Sequence, residues 1–504
     1  MVRRLAGERS LDWLAPLGVG VAILVLCGAT LMPGVGFWDT AEFQTVGPVL
    51  GTAHPTGFPA YVLLGWLASV VLQPFGEPAF RMNLLSAILI AVGAGGATVL
   101  VRRLTGSLAL GAAAGIGVGA NAIAWRIGTR ADAHALHLVL VALLLIALVA
   151  WHRERGRGGG HRWLVAASAI FGASVANHSL TLLLAPAVGL YVLAVDPGMW
   201  RRGRTVALCA GALFGTAALL YLELPLRAGP FRAPLVYGTP NTWEGFQYIV
   251  LAEQFRGSID NPIGDLPAKF ARFVDLTAVQ FGPLAALLPV AFLATAIREP
   301  RYALLSGVAA SVTVFFSMSY INADIERYYL GPILIAWTWL ALLAVTAADQ
   351  IALLAPRGRP GPAILAAVLA LALLLPTALE LDARSRSLDA STDTGAARWL
   401  DATIARLEPD AVVISWWSYS TPLWYAQLVE GRIPDVTIVD DRTRLDQELG
   451  EVEDVIDRYL GQRPVYLIRA DGGEIARVGL QYRLDPGPST NVLVRVIAPA
   501  EASR

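Results

Sequence analysis

The chain has 504 residues, 55% of them hydrophobic and 15% charged, with a formal net charge of +0 and a mean hydropathy of +0.55. A soluble domain carries about 45–50% apolar and roughly 25% charged residues. Here the apolar excess runs in stretches of about 20 residues, which excludes a soluble protein and points to a polytopic membrane protein. Both cysteines, Cys27 and Cys209, lie inside apolar runs, so a disulfide scaffold is excluded, and zero net charge leaves no field for nucleic acid.

In chain order, the apolar runs predict about eleven α-helical spans, near 12–32, 82–101, 107–125, 131–151, 162–178, 180–195, 205–224, 277–297, 302–320, 328–349 and 362–380. The first exceeds the roughly 7–15-residue core of a signal peptide, and no small-x-small site follows, so it reads as an anchor. The run 57–73 decides the orientation of everything after it. Laid in the interface as a surface helix, it leaves Arg3, Arg4, Arg102, Arg103, Arg153, Arg155, Arg157, Arg162, Arg201, Arg202, Arg204, Arg298, Arg301, Arg357 and Arg359 on one side. The short loops of the other side then hold Arg81, Arg126, Arg130 and Arg327. Counted as a span, it scatters these clusters over both faces. The positive-inside rule therefore predicts a cytoplasmic N-terminus and an outer C-terminus. Residues 1–380 form the membrane domain, with a first outer loop and juxtamembrane helices over 33–81 and a long outer loop over 225–276.

After residue 381 helices alternate with short apolar strands. TGAARWLDATIARLE, STPLWYAQLVEG and RLDQELGEVEDVIDRYL read as helices; AVVISWW, PDVTIVDD, PVYLIRA and NVLVRVIA read as strands. Such alternation predicts an extracytoplasmic α/β domain over 381–504 with a partly parallel sheet. Trp416, Trp417, Tyr419, Trp424 and Tyr425 flank a strand and read first as its core, with a sugar or acceptor platform as the alternative.

Charges beside a membrane are costly and mark candidate sites, and nearly all of them gather on the outer side. In GFWDTAEFQTVGPVLGTAHP, Asp39 and Glu42 stand three apart, on one face of a helix. Paired carboxylates near apolar surface can separate their pKa values and leave one as a base; the bland reading is a capping box. His54 is a substrate contact or a loop residue. Asp132 and His134 open the fourth span, where an ordinary charged helix start is the alternative. Asn177 and His178 sit between two short spans that suggest helices ending at a cavity. Arg227 offers a guanidinium for phosphate, with lipid-headgroup anchoring as its alternative. Arg327 enters the tenth span beside Tyr328 and Tyr329. No Walker A loop, strand-linked GxGxxG, CxxC, HExxH or GxSxG occurs. Convergence of five loops on one side supports a reaction between a carboxylate base and a phosphate-bearing lipid.

The segments FWDTAEF, AHPTGFPAYVLLG, RMNLLSA, RADAHALHLVLVALLL, ANHSLTLLL, YLELPLRA, ERYYLGP and SWWSYSTPLWYAQLVEGR follow in order over nearly the whole chain. They resemble the GT-C superfamily of integral-membrane glycosyltransferases, and within it a bacterial family related to the eukaryotic transmembrane protein O-mannosyltransferase of plexin-type domains. The resemblance implies a GT-C fold of about eleven membrane helices. It implies transfer of a hexose, mannose favoured, from a polyprenyl-phosphate sugar to a protein hydroxyl or envelope glycan, with inversion, at the outer face of the inner (plasma) membrane. It implies Asp39 as general base and Glu42 as its support. Asp132, His54, His134, Asn177, His178 and Tyr328 would bind substrate, and Arg227 and Arg327 would stabilise the departing phosphate. Where relatives often carry a serine-glycine pair between the two acids, this chain has Thr40 and Ala41. A divalent cation held by Asp39, Glu42, Asp132 and His134 is left open. The rival class is a transporter or lipid-linked-glycan flippase. Transporters place repeats and broken helices at the midplane, whereas the polar residues here cluster on one face, which favours the enzyme; a catalytically inactive glycan-binding membrane protein is a third alternative, weakened by the Asp39/Glu42 pair.

Overall fold

The structure is a computed structural model that describes residues 2–155, 161–322, 324–354 and 361–500, with residues 2–12 as backbone alone. Arg157, Arg357 and Arg359 of the arginine pattern lie outside the described residues.

Among the described residues, seven helices are long and apolar enough to cross a membrane: Pro78–Thr105, His134–Glu154, Gly203–Ala228, Leu266–Arg298, Pro300–Met318, Ile325–Leu354 and Pro362–Leu388. Seven of the eleven expected runs are among them, and the other four differ in form. The run 107–125 is a pair, Leu108–Gly119 and Ala122–Gly128, bent by 64°. It breaks because the Asn121 side chain accepts from Ile123 N and starts a new helix, while its amide reaches the Gln280 carbonyl. The run 12–32 falls largely within the 28-residue helix Val2–Ala29, the run 180–195 gives the short apolar helix Ser179–Val195, and 162–178 gives the 17-residue helix His161–Asn177. His178 ends that helix by accepting from Leu180 N through Nδ1, which opens the 3-10 segment Ser179–Leu184. The run 57–73 is the 13-residue helix Pro59–Val71, about 20 Å long against a hydrocarbon core of about 30 Å.

Helix Pro78–Thr105 is the hub of the bundle, and small residues let its neighbours approach. A Cβ on Gly115 would meet the Ala94 carbonyl at 2.6 Å, and one on Gly117 would meet the Trp337 ring at 2.1 Å. Close backbone contact of this kind replaces the hydrophobic drive that lipid removes.

The C-terminal segment forms a five-stranded sheet, with β1 (Val412–Ile414), β2 (Thr437–Val439), β3 (Val465–Leu467), β4 (Tyr482–Asp485) and β5 (Val494–Pro499) in the order β2-β1-β3-β5-β4. β1 runs parallel to β2 and β3, and β5 is antiparallel to β3 and β4. The helix expected over 444–460 is broken, because Gly450 takes φ +82° and Glu451 caps a second helix, Val452–Tyr459. The strand expected through Trp417 stops at Ile414; Trp416 caps the helix Trp417–Leu428. This segment packs on one end of the bundle. Val35, Ala41 and Ala79 share a core with Leu400, Val413 and Leu423, and Ala79 N–H donates to Tyr425 Oη at 3.1 Å.

Candidate active site

A buried amide network builds the floor of the site. Gln44, on the helix Trp38–Val49, donates to Asn83 Oδ1 at 2.8 Å and accepts from Gly36 N at 2.9 Å. Asn83 donates to the Met32 carbonyl at 2.9 Å and accepts from Ala131 N at 2.9 Å, and Ser86 Oγ accepts from Asp132 N at 3.0 Å. Both amide residues have no exposed surface, so each lost bond strands a buried partner. Together they fix the loop before helix Trp38–Val49 and the 129–132 segment on helix Pro78–Thr105, and so set Asp39 near Asp132.

Arg327 bridges the two carboxylates. It donates to Asp39 Oδ2 at 3.0 Å and its other nitrogen lies 3.6 Å from Asp132 Oδ2. Asp132 Oδ1 also accepts from His134 N at 2.8 Å and faces His134 Nδ1 at 2.9 Å. With its proton on Nδ1, as that contact requires, His134 keeps Nε2 as a buried acceptor with no partner among the described residues. Tyr328 stacks on His134 with centroids 5.5 Å apart, and the His178 ring lies 4.9 Å from His134.

Glu42 is fully engaged with His54. One oxygen accepts from His54 N–H at 2.7 Å and the other pairs with His54 Nδ1. Burial works against the His54 charge, but the Glu42 and Asp39 carboxylates outweigh it and raise the imidazole above its ordinary value. Burial also pushes Asp39 up, yet His54, Arg327 and the Trp417 indole together hold it below the usual carboxylate range.

Asp39, His54, Asp132, His134, His178, Arg327 and Tyr328 line one cavity of about 970 Å³. Three expected site residues do not line it. Glu42 sits behind His54. The Asn177 amide instead donates to the Ala133 carbonyl at 3.2 Å, holding the loop that carries Asp132. Arg227 donates to the Leu50 carbonyl at 2.7 Å and caps the end of helix Trp38–Val49, a use for a basic residue at a helix C-terminus rather than a phosphate clamp. Asp39, Glu42 and His54 bring one ligand atom each within 4.8 Å of one another, but each of these side chains already has a protein partner, which a cation would have to displace. Asp132 and His134 belong to a separate pair.

The same cavity also has apolar lining, with Leu180, Leu182, Leu183, Val250, Leu251 and Phe316. Sequence reading missed the roof, which comes from 237–256 and 416–442. Trp417, placed above in a core, lines the cavity and donates to Asp39 Oδ1 at 3.1 Å. Arg442 stacks over Tyr237 and Tyr248, 5.0 and 4.7 Å from their ring centres. Trp38 stands half exposed at the mouth with φ +58°, a strained backbone for so bulky a residue, and meets Trp416 edge-on at 5.0 Å.

Residues 39–200 match the N-terminal domain of the protein O-mannosyl-transferase TMEM260 family. Over 241 residues, 46% of this chain, the sequence is 29% identical to mouse (Mus musculus) protein O-mannosyl-transferase TMEM260, of which it spans 33%. The structure superposes on ArnT of Cupriavidus metallidurans, solved with undecaprenyl phosphate, at a TM-score of 0.57 and 16% identity, covering 95% of this chain and 97% of that one. It shares the GT-C fold. The Archaeoglobus fulgidus oligosaccharyltransferase AglB, in complex with an inhibitory peptide and a dolichol-phosphate, gives a TM-score of 0.54 at 15% identity over 90% of this chain and 69% of its own. The resemblance to GT-C glycosyltransferases and to TMEM260 read from the sequence motifs is therefore borne out, and this chain is a multi-pass helical protein of that fold.

Proposed function

We propose that this chain is a membrane glycosyltransferase that moves a hexose, with mannose favoured, from a polyprenyl-phosphate sugar to a hydroxyl acceptor on a protein or an envelope glycan. The observation that carries the reading is a cavity that joins a charged cluster to apolar lining. Arg327 lies within ion-pair distance of both Asp39 and Asp132, and Leu180, Leu182, Leu183, Val250, Leu251 and Phe316 line the same cavity. A lipid-linked sugar likewise joins a charged phosphate to hydrocarbon. His134 and Thr56 also line the cavity, and an imidazole and a hydroxyl can both bond sugar hydroxyls.

In this reading Asp39 takes the acceptor's hydroxyl proton as the new bond to the anomeric carbon forms. The anomeric carbon's bond to the phosphate oxygen breaks with inversion, and its electron pair leaves on the polyprenyl phosphate, whose growing charge Arg327 stabilises. The low pKa of Asp39 keeps it ionised as the base, and Glu42 holds His54 against its far side. The arginine distribution supports an inner-membrane protein with a cytoplasmic N-terminus and the cavity facing outward.

The test is sugar release from radiolabelled polyprenyl-phosphate-mannose and -glucose by purified wild-type and Asp39→Asn protein, with envelope extract as acceptor. Turnover by the wild type that falls at least about a hundredfold in a folded, donor-binding Asp39→Asn variant supports the reading. Equal turnover removes Asp39 as the base. Movement of lipid-linked glycan across vesicles without sugar release would replace the enzyme with a transporter.

A further inference from the structure

Two of the three parallel strands of the C-terminal sheet, β1 and β2, end at the cavity. The residues after β1 include Trp417, those after β2 include Asp440, Asp441 and Arg442, and all four line it. In open sheets the carboxyl ends of parallel strands are where ligands and functional side chains gather. Here the sheet brings that end to the carboxylate on which the proposed reaction turns.

Asp39 has two oxygens, and each is held by a different part of the chain. Oδ2 accepts from Arg327 at 3.0 Å, and Oδ1 accepts from the Trp417 indole N–H at 3.1 Å. The indole cannot swing away freely. Its ring packs edge-on to His54, Tyr237 and Trp424, with centroids 5.7, 5.9 and 5.8 Å away. Each carboxylate oxygen offers two acceptor sites, so one bond to each oxygen fixes the plane of the group and still leaves an acceptor site for a substrate proton. A carboxylate tied at one oxygen alone is free to turn about its last torsion, which is broad and weakly restrained.

We propose that Trp417 is a positioning residue of the C-terminal segment that fixes the Asp39 carboxylate for proton transfer. The inference rests on the glycosyltransferase reading above. It assigns the sheet a part in the chemical step, because the site has its base in working geometry only when this segment is seated on the bundle. Misplacing a reacting group by about 1 Å costs on the order of a hundredfold in rate, and losing one of two restraints is expected to cost roughly tenfold.

The experiment is a double-mutant cycle on the full-length protein, read as single-turnover rates with a polyprenyl-phosphate sugar. Trp417→Phe keeps an aromatic ring and removes the N–H. It is expected to lower the chemical rate about tenfold at unchanged donor affinity, and to add nothing when Asp39 is already Asn. Unchanged rates in Trp417→Phe would overturn the proposal. So would a loss that repeats in full beside Asp39→Asn, which marks a structural role, and so would weaker donor binding at an unchanged rate. If the wild type turns over no lipid-phosphate sugar, the glycosyltransferase reading fails instead. The contact is then tested by 5-fluorotryptophan labelling, with Trp417→Phe identifying its signal. A 19F resonance at 417 that moves in Asp39→Asn supports the contact, and one that stays fixed overturns it.

Discussion

The floor and the roof of the cavity are held together in different ways. On the floor, the acids find partners close in sequence: Asp132 pairs with His134 two residues on, and Glu42 with His54 twelve residues on. On the roof, partners are remote: Trp417 reaches Asp39 across 378 residues, and Arg442 reaches Tyr248 across 194. Arg327, which reaches Asp39 across 288 residues, stands on the floor but behaves like the roof. The comparison separates what the outer loops can pre-form from what only the finished fold supplies. Short-range pairs orient side chains; long-range ones close the site.

Substitutions can break or sharpen that contrast. The largest effect is expected at Arg327. Arg327→Ala leaves two carboxylates facing each other and removes the charge that meets the departing phosphate, so turnover should fall by roughly a hundredfold to a thousandfold, measured as single-turnover rate on folded protein. A loss under tenfold would show that the bridge is structural. Next comes the floor itself. Asn83→Ala strands Gln44, the Met32 carbonyl and Ala131 N, each buried group costing about 1–3 kcal/mol. The melting temperature in detergent should drop by roughly 5 °C or more, and an unchanged value would mean the network does not hold the loop. Arg442→Ala, which removes the stack on two tyrosines at roughly 1–2 kcal/mol, should loosen the roof. Proteolysis between the bundle and the sheet is then expected to run several-fold faster while the melting of the bundle is unmoved.

The smallest effect is a pH dependence. The His54 imidazole is raised in the folded protein by Glu42 and Asp39 against the opposing burial. Its contribution to stability is therefore complete below the unfolded value of about 6.5 and is lost as pH rises through the folded one. Wild-type melting should decline relative to His54→Gln above about pH 6.5, and parallel curves for the two proteins would show that the Glu42 contact is uncharged.

The legible parts of the molecule follow the same division. Seven of the expected spans coincide with long apolar helices, because hydropathy over about 20 residues is a local property. The helix break at Asn121 was hidden, since a capping side chain inside an apolar run leaves the mean hydropathy high. Asp39, His54, Asp132, His134 and Arg327, which share the cavity, stand out in the sequence because charge beside a membrane is conspicuous. Trp417 was read as core, because an aromatic residue after an apolar strand carries no mark of which way the chain turns once the strand ends. Arg227 and Asn177 had the right chemistry for a ligand, but backbone carbonyls compete for the same donors, and sequence does not show which carbonyls lie within reach. Gln44 and Asn83 were passed over since neutral amides at a loop and a helix start look like solvated residues until both are found buried.

The separation between Asp39 and its two partners also sets a timetable for synthesis. Asp39 is followed by 288 residues before Arg327 is made and by 378 before Trp417. At about 5–20 residues per second, that is roughly 15–60 s for the first partner alone. Through that interval the growing chain carries the Asp39 carboxylate without a counter-charge from Arg327 and without the Trp417 indole. A ribosome that stalls before residue 327 has therefore produced most of the long apolar helices and the short-range acid–histidine pairs but neither the bridge nor the roof, so the candidate site is among the last parts of the molecule to be completed.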